Sequence, residues 1–137
     1  MNAGLIPPPP SMRRRIALAG ATAALAVTTL CAPVVRADDS ITYEVLSDSI
    51  GLANIEWQDP AGRQSLQSVA LPWRLDVSMQ DPLAPPPNGS QVRADWRPSA
   101  APGRWVSVRI TYRGKLICQN TLDIGNAACY GSTKRIT

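Results

Sequence analysis

The strongest constraint on the fold comes from residues 104–122. Apolar residues there occupy every second position over the length of one strand, and a second apolar run follows after a turn. In the first half, Val106, Val108 and Ile110 occupy every second position, which is the period of a half-buried β-strand. Arg113-Gly114 interrupts this pattern, and a second apolar run follows it. The stretch therefore predicts a β-hairpin.

Two registers are open for this hairpin. A two-residue turn would place Ile117 opposite Ile110. A three-residue turn would instead set Leu116, Cys118 and Leu122 beside Val108, Ile110 and Tyr112. The second register buries more apolar surface, and a shift of one residue would turn every side chain to the other face of the sheet. We favour the three-residue turn.

From residue 38 onward, the chain shows further short strands and no amphipathic helical pattern longer than two turns. The predicted strands cover residues 41–46, 53–57, 64–69, 71–79, 91–96 and 127–130. Turn signals separate them, including Asp59-Pro60-Ala61-Gly62 and the proline-rich stretch 81–90. This spacing predicts one all-β domain over residues 38–137. Its fold class is a small antiparallel β-sandwich, immunoglobulin-like, with about seven strands.

Residues 1–37 have the organisation of an export signal. Three arginines at 13–15 precede an apolar run over residues 16–32, and Val35-Arg36-Ala37 offers a cleavage site before Asp38. We predict a signal peptide and a secreted or cell-envelope location. The alternative is an uncleaved signal anchor that holds the domain to the inner membrane by residues 16–32, a run at the lower edge of bilayer-spanning length.

Cleavage of this signal would leave two cysteines, Cys118 and Cys129. An even number of cysteines in an exported domain predicts a disulfide. A metal site is the alternative, but the chain contains no histidine and no further thiol to complete a tetrahedral set. The bridge would join the second hairpin strand to the C-terminal edge of the sandwich. The cysteine spacing is too short for the inter-sheet bridge of antibody domains.

Composition excludes several function classes. The net charge of +4 comes from four arginines in residues 1–37, whereas residues 38–137 contain ten basic and ten acidic side chains. A neutral domain does not indicate nucleic-acid binding. The absence of histidine removes Ser-His-Asp and Cys-His catalysis, and we expect the carboxylates to face solvent. We therefore predict no enzyme activity, no cofactor, no metal and no catalytic residue.

The tryptophans are the remaining candidates for contact with a partner. We expect Trp57, Trp73 and Trp96 to lie mostly in the core of so small a sandwich. Trp105 falls on the face opposite Val106 and is the best candidate for an exposed contact.

Several short motifs, taken in order, resemble the MmpS family, the small accessory proteins of the mycobacterial MmpL exporters of lipids and siderophores. They are Ile41-Thr42-Tyr43-Glu44-Val45, Ala53-Asn54-Ile55-Glu56-Trp57, Gly62, Leu71-Pro72-Trp73, residues 106–110, Gly114-Lys115 and Cys129. The likeness covers most of residues 41–130, and its most specific element is Leu71-Pro72-Trp73. This chain departs from the family in two ways. It carries a signal-like leader where the family has a transmembrane helix, and it has Cys118 after the glycine turn where the family's first cysteine precedes it.

The resemblance implies a non-enzymatic β-sandwich outside the cytoplasmic membrane that contacts an MmpL-type transporter or its lipid-like cargo. The candidate contact residues are Trp105 and Leu71-Pro72-Trp73. The alternative is a secreted protein-interaction sandwich, inhibitor-like or cell-surface-binding, that uses the loops 81–90 and 97–103. A groove lined by Trp105 would favour the first hypothesis, and ordered proline loops forming a convex patch would favour the second.

Overall fold

A computed structural model describes residues 40–137, together with Gly4, and shows two β-sheets with a 3-10 helix at Arg97–Ser99. The strands are β1 Ser40–Leu46, β2 Leu52–Asp59, β3 Gly62–Ala70, β4 Trp73–Ser78, β5 Gln91–Asp95, β6 Val106–Tyr112, β7 Lys115–Leu122, β8 Asn126–Tyr130 and β9 Arg135–Ile136. The predicted small antiparallel β-sandwich is confirmed, although the described residues form nine strands rather than about seven. The predicted export signal, including the candidate anchor 16–32, lies outside the described residues.

The two sheets have the strand orders β4-β1-β6-β7-β9 and β3-β2-β5-β8. Within residues 40–137, neighbouring strands are antiparallel except for the short parallel pair β7–β9. The chain changes sheet at every connection except the hairpins β2–β3 and β6–β7. Each sheet therefore depends on strands that are distant in sequence.

The core follows from the alternation that the sequence shows. β1 buries Ile41, Tyr43 and Val45 completely, while the residues between them face outward. β6 repeats this pattern beside it, and the facing sheet supplies further aliphatic side chains. The fully buried aliphatic residues of these elements are Val106, Val108, Ile110, Ile55, Val92 and Ala94. Burying a side chain such as valine or isoleucine stabilises the fold by roughly 1.5–3 kcal/mol.

Tyr43 connects the two sheets through its hydroxyl group. From β1 it donates a hydrogen bond to the carbonyl oxygen of Gln58 at 2.7 Å and accepts one from the backbone N–H of Gln91 at 3.1 Å. Both partners belong to the opposite sheet. Because burial disfavours the phenolate, the pKa of Tyr43 is raised well above its usual value. The hydroxyl therefore remains a donor and satisfies two buried backbone groups.

The hairpin β6–β7 combines features of both predicted registers. The turn has two residues, with Tyr112 opposite Lys115, but a register shift then places Ile110 opposite Cys118 rather than Ile117. The Ile110–Cys118 pairing of the favoured register is therefore confirmed, whereas its three-residue turn is wrong. Leu116 lies opposite Thr111 and Leu122 opposite Val106. A β-bulge accounts for the difference, since it adds one residue to one strand of an antiparallel pair.

The predicted disulfide between Cys118 and Cys129 is confirmed, with their Cα atoms 5.8 Å apart. It joins β7 to the C-terminal edge strand β8, as predicted. These strands belong to different sheets, so the bridge crosses the sandwich. The short cysteine spacing suffices because residues 123–125 carry the chain directly from one sheet to the other.

A candidate ligand cavity at the hairpin tip

A cavity of about 380 Å³ lies beside the tip of the β6–β7 hairpin, and we call it the hairpin-tip cavity. Arg113 and Gly114 both have positive φ, 51° and 72°, as the type I′ turn of a two-residue hairpin requires. This turn fixes the positions of the side chains before and after it. The hairpin contributes Tyr112, Arg113, Lys115, Leu116 and Ile117 to the lining.

The second wall comes from loop 81–90, which we call the proline loop, and from the chain after β8. Leu83 of the proline loop lines the cavity and is 51% exposed, and Gly131 and Lys134 complete the lining. The proline loop is held by hydrogen bonds from the backbone N–H and the hydroxyl of Ser90 to the carbonyl oxygen of Pro82, at 2.9 and 2.7 Å. Its ordered backbone therefore positions Leu83.

Gly131 allows the proline loop to lie against the end of β8. Its N–H donates to the carbonyl oxygen of Ser90 at 2.9 Å. A Cβ atom at this position would lie 2.1 Å from both the carbonyl oxygen of Pro82 and the hydroxyl oxygen of Ser90. Real Cβ atoms do not approach other atoms so closely, so this wall of the cavity depends on glycine.

The lining is apolar with a basic rim. Leu116 and Ile117 are half-buried, and Leu83 adds a third aliphatic side chain. Among the described residues of the lining, three are basic and none is acidic. Within residues 40–137, neither Lys115 nor Lys134 forms a salt bridge. Apolar walls with a few oriented polar groups are typical of small-molecule sites.

Arg113 is oriented by an aromatic ring. Its guanidinium carbon lies 5.0 Å from the ring centroid of Tyr112, which is the distance of a cation–π contact. This contact keeps the arginine against the hairpin and contributes positive charge to the rim.

The residues predicted to contact a partner lie elsewhere. Trp105 is 52% exposed and precedes β6, whereas the cavity adjoins the end of that strand. Trp73 pairs with Val45 near the end of β1, and the cavity residue Tyr112 pairs with Ile41 near its start. Trp105 and Leu71-Pro72-Trp73 therefore share the opposite end of the sheet, on either side of β1. Their role as contacts stays a prediction.

The tryptophan of the Leu71-Pro72-Trp73 element is partly committed to the core. Its ring lies 5.3 Å from that of Trp57, between centroids, and both rings are half-buried. Leu71 also packs against the core, while Pro72 is exposed. Of these three residues, Pro72 therefore presents the most of its surface to a partner.

Carboxylates on the sheet faces interact with arginines. Glu44 lies between Arg74 and Arg109, with nitrogen–oxygen distances of 3.8 and 3.9 Å. Asp95 pairs with Arg97, and hydrogen bonds from this arginine hold the pKa of the Asp95 carboxyl below its usual value. Among the described residues, no group of three or more His, Cys, Asp or Glu side chains is arranged to hold a metal ion. These carboxylates act in the structure as partners of arginines.

Sequence reasoning did not select the cavity residues. The signals available were Leu116-Ile117, two consecutive apolar residues that break the alternation, and basic residues next to the glycine turn. Neither signal reveals that the proline loop and residues 131–134 lie opposite them, because that contact is long-range.

No protein-family model matches this chain, and no similar curated protein is found. The resemblance to the MmpS family therefore stays a prediction. Within the part of the chain that the structure describes, no helix combines the length and hydrophobicity needed to cross a bilayer.

Proposed function

We propose that this chain is an exported, non-enzymatic binding domain that holds a lipid-like ligand in the hairpin-tip cavity and serves as an accessory of the MmpS type. The observation that carries the proposal is the cavity itself, whose aliphatic walls Leu83, Leu116 and Ile117 carry a basic rim. A volume of about 380 Å³ lies within the range of small-molecule pockets.

Two further features support an accessory role. The motifs quoted above resemble MmpS proteins in their order along the chain, and the leader has the features of an export signal. The end of the sandwich that carries Trp105 and Pro72 lies away from the cavity, so a transporter and a ligand would use different surfaces.

Binding of alkyl chains of increasing length to the exported protein tests this proposal. Each buried CH₂ contributes about 0.8 kcal/mol, so the dissociation constant should fall about fourfold for each added carbon until the cavity is filled. Isothermal titration calorimetry below the critical micelle concentration measures this slope. Affinity that does not change with chain length would contradict the proposal.

A matched pair of leucine variants locates the site. Leu83→Gln should weaken alkyl binding roughly fivefold, because an aliphatic side chain of the wall is lost. Leu52→Gln is the control, since Leu52 is similarly exposed, at 55%, but begins β2 at the other end of the domain. Equal weakening by both variants would place the binding outside the cavity.

The alternative of a secreted protein-interaction sandwich is favoured by one observation, the hydrogen-bonded order of the proline loop. Under that proposal, Pro85 and Pro87, which are exposed, would contact a protein partner. Pull-down from the native culture with the wild type and with Pro85→Ala/Pro87→Ala tests it. Recovery of the same partner by both proteins would argue against a contact through this loop.

A further inference from the structure

We infer that the ligand of the hairpin-tip cavity is a single-chain amphiphile with an anionic head, a carboxylate or phosphate, held by Lys115 and Lys134. This inference rests on the proposed function, because it assumes that the cavity holds an alkyl chain. To the proposed function it adds the charge of the ligand and the orientation of the ligand, with the anionic head at the basic rim and the alkyl chain against the aliphatic wall.

The first argument is the distribution of charge. Residues 38–137 are formally neutral, yet the described residues that line this cavity include Lys115 and Lys134 and no acidic side chain. Of the seven arginines in residues 40–137 that lie outside this lining, four are within salt-bridge distance of a carboxylate, namely Arg63, Arg74, Arg97 and Arg109. Within the same residues, Lys115 and Lys134 form no such salt bridge and lie beside partly exposed apolar side chains.

The second argument is the local backbone. Leu116 pairs with Thr111 and Cys118 pairs with Ile110, which leaves Ile117 without a partner at the register shift. Consecutive residues of a regular strand face opposite sides of the sheet, but a bulge changes this direction. Leu116 and Ile117 can therefore both line the same cavity. The bulge places two adjacent aliphatic side chains next to Lys115.

The third argument is the separation of the two lysines along the chain. Lys115 follows the hairpin turn, whereas Lys134 lies beyond β8 and immediately before β9. Both side chains are exposed, and they reach the cavity from different segments. A carboxylate or phosphate head can accept hydrogen bonds from both ammonium groups at once, while a neutral hydroxyl gains little from either charge.

The test compares three probes of equal chain length, dodecanoate, dodecyl phosphate and dodecanol, in titrations of the exported protein at low and high salt. We expect both anions to bind about 2- to 30-fold more tightly than the alcohol, since two exposed ion pairs contribute about 0.2–1 kcal/mol each. This preference should shrink at high ionic strength because salt screens exposed charges.

Charge-removing variants assign the preference to the lysines. Lys115→Gln combined with Lys134→Gln should weaken anion binding about 2- to 30-fold and leave dodecanol binding unchanged. Arg104→Gln is the matched control, because Arg104 is an exposed cation at the start of β6, the far end of that strand from the cavity. Replacement of both lysines by arginine should retain the preference for anions.

The outcomes distinguish this inference from the proposed function. If dodecanol binds as tightly as the anions, the inference is overturned while the proposed alkyl site stands. If no probe binds, both fail. If the protein binds phosphatidylglycerol vesicles but none of the monomeric probes, the basic rim recognises a membrane surface and the inference is again overturned.

Discussion

At the scale of single residues, Tyr43 has the clearest structural role. Its side chain is fully buried in the first sheet, and its hydroxyl binds backbone groups of the second. Tyrosine is needed at this position, rather than another large apolar residue, because the backbone groups of Gln58 and Gln91 would otherwise lose these bonds. The sequence predicts that Tyr43 lies on the apolar face of its strand, but not its partners, which lie 15 and 48 residues away.

Tyr43→Phe should lower the free energy of unfolding by about 1–3 kcal/mol, because the buried N–H of Gln91 loses the Tyr43 hydroxyl as its acceptor and a buried polar group without a partner costs about that much. Urea denaturation at neutral pH measures this loss. Tyr130→Phe is the control, since Tyr130 is half-buried, and it should change stability by less than about 0.5 kcal/mol. Similar losses in both variants would contradict the role assigned to the Tyr43 hydroxyl.

The same residue predicts a dependence on alkaline pH. The pKa of Tyr43 is raised in the folded state, so between the unfolded value near 10 and the folded value only the unfolded chain ionises. Stability is therefore fully present below about pH 10 and falls as the pH rises beyond it. Denaturation between pH 8 and 11 should show a steeper decline for the wild type than for Tyr43→Phe. Parallel curves would contradict this pKa shift.

At the scale of elements, alternation predicts strands well and registers poorly. The period-2 pattern of β1 and β6 identifies their inward faces correctly, because one face of each strand packs in the core. The alternation breaks at Leu116-Ile117, but this break does not identify which residue is bulged, since Ile117 is as apolar as its neighbours. The cavity wall is missed for a related reason, because the proline loop is fixed by backbone contacts to Ser90 and Gly131 that leave no periodic signal.

Gly131→Ala tests how the proline loop is placed. The added methyl group would meet the carbonyl oxygen of Pro82, so the loop must move, and overpacking of this kind costs about 1–3 kcal/mol. Alkyl binding should also weaken, because Leu83 moves with the loop. Gly51→Ala is the control, as nothing lies within 4 Å of a Cβ atom there. Wild-type stability and binding in Gly131→Ala would show that the loop does not build the cavity.

At the scale of the whole molecule, the Cys118–Cys129 disulfide joins two sheets that otherwise interact mainly through side chains. The bridge could be predicted from the number of cysteines and the predicted export signal, but its passage between sheets could not. That passage depends on residues 123–125, which change sheet between β7 and β8.

Removal of the bridge by Cys118→Ala with Cys129→Ala should destabilise the domain by about 2–3 kcal/mol. The reason is that the bridge closes a loop in the unfolded chain and so lowers the conformational entropy of that state. For a domain of about 100 residues, this corresponds to a fall in melting temperature of roughly 10–20 °C. Differential scanning calorimetry of the variant, with the reduced wild type as a control, measures the change. An unchanged melting temperature under oxidising conditions would contradict a stabilising role.

The position of this bridge links the oxidation state of the two cysteines to the walls of the cavity. Cys118 directly follows the cavity residue Ile117, and Cys129 precedes the cavity residue Gly131 by two positions. Before export, in a reducing cytosol, both thiols stay free and the two walls of the cavity are not joined by the bridge. On the proposed export, the bridge between these two walls therefore forms only after the chain has left the cytosol.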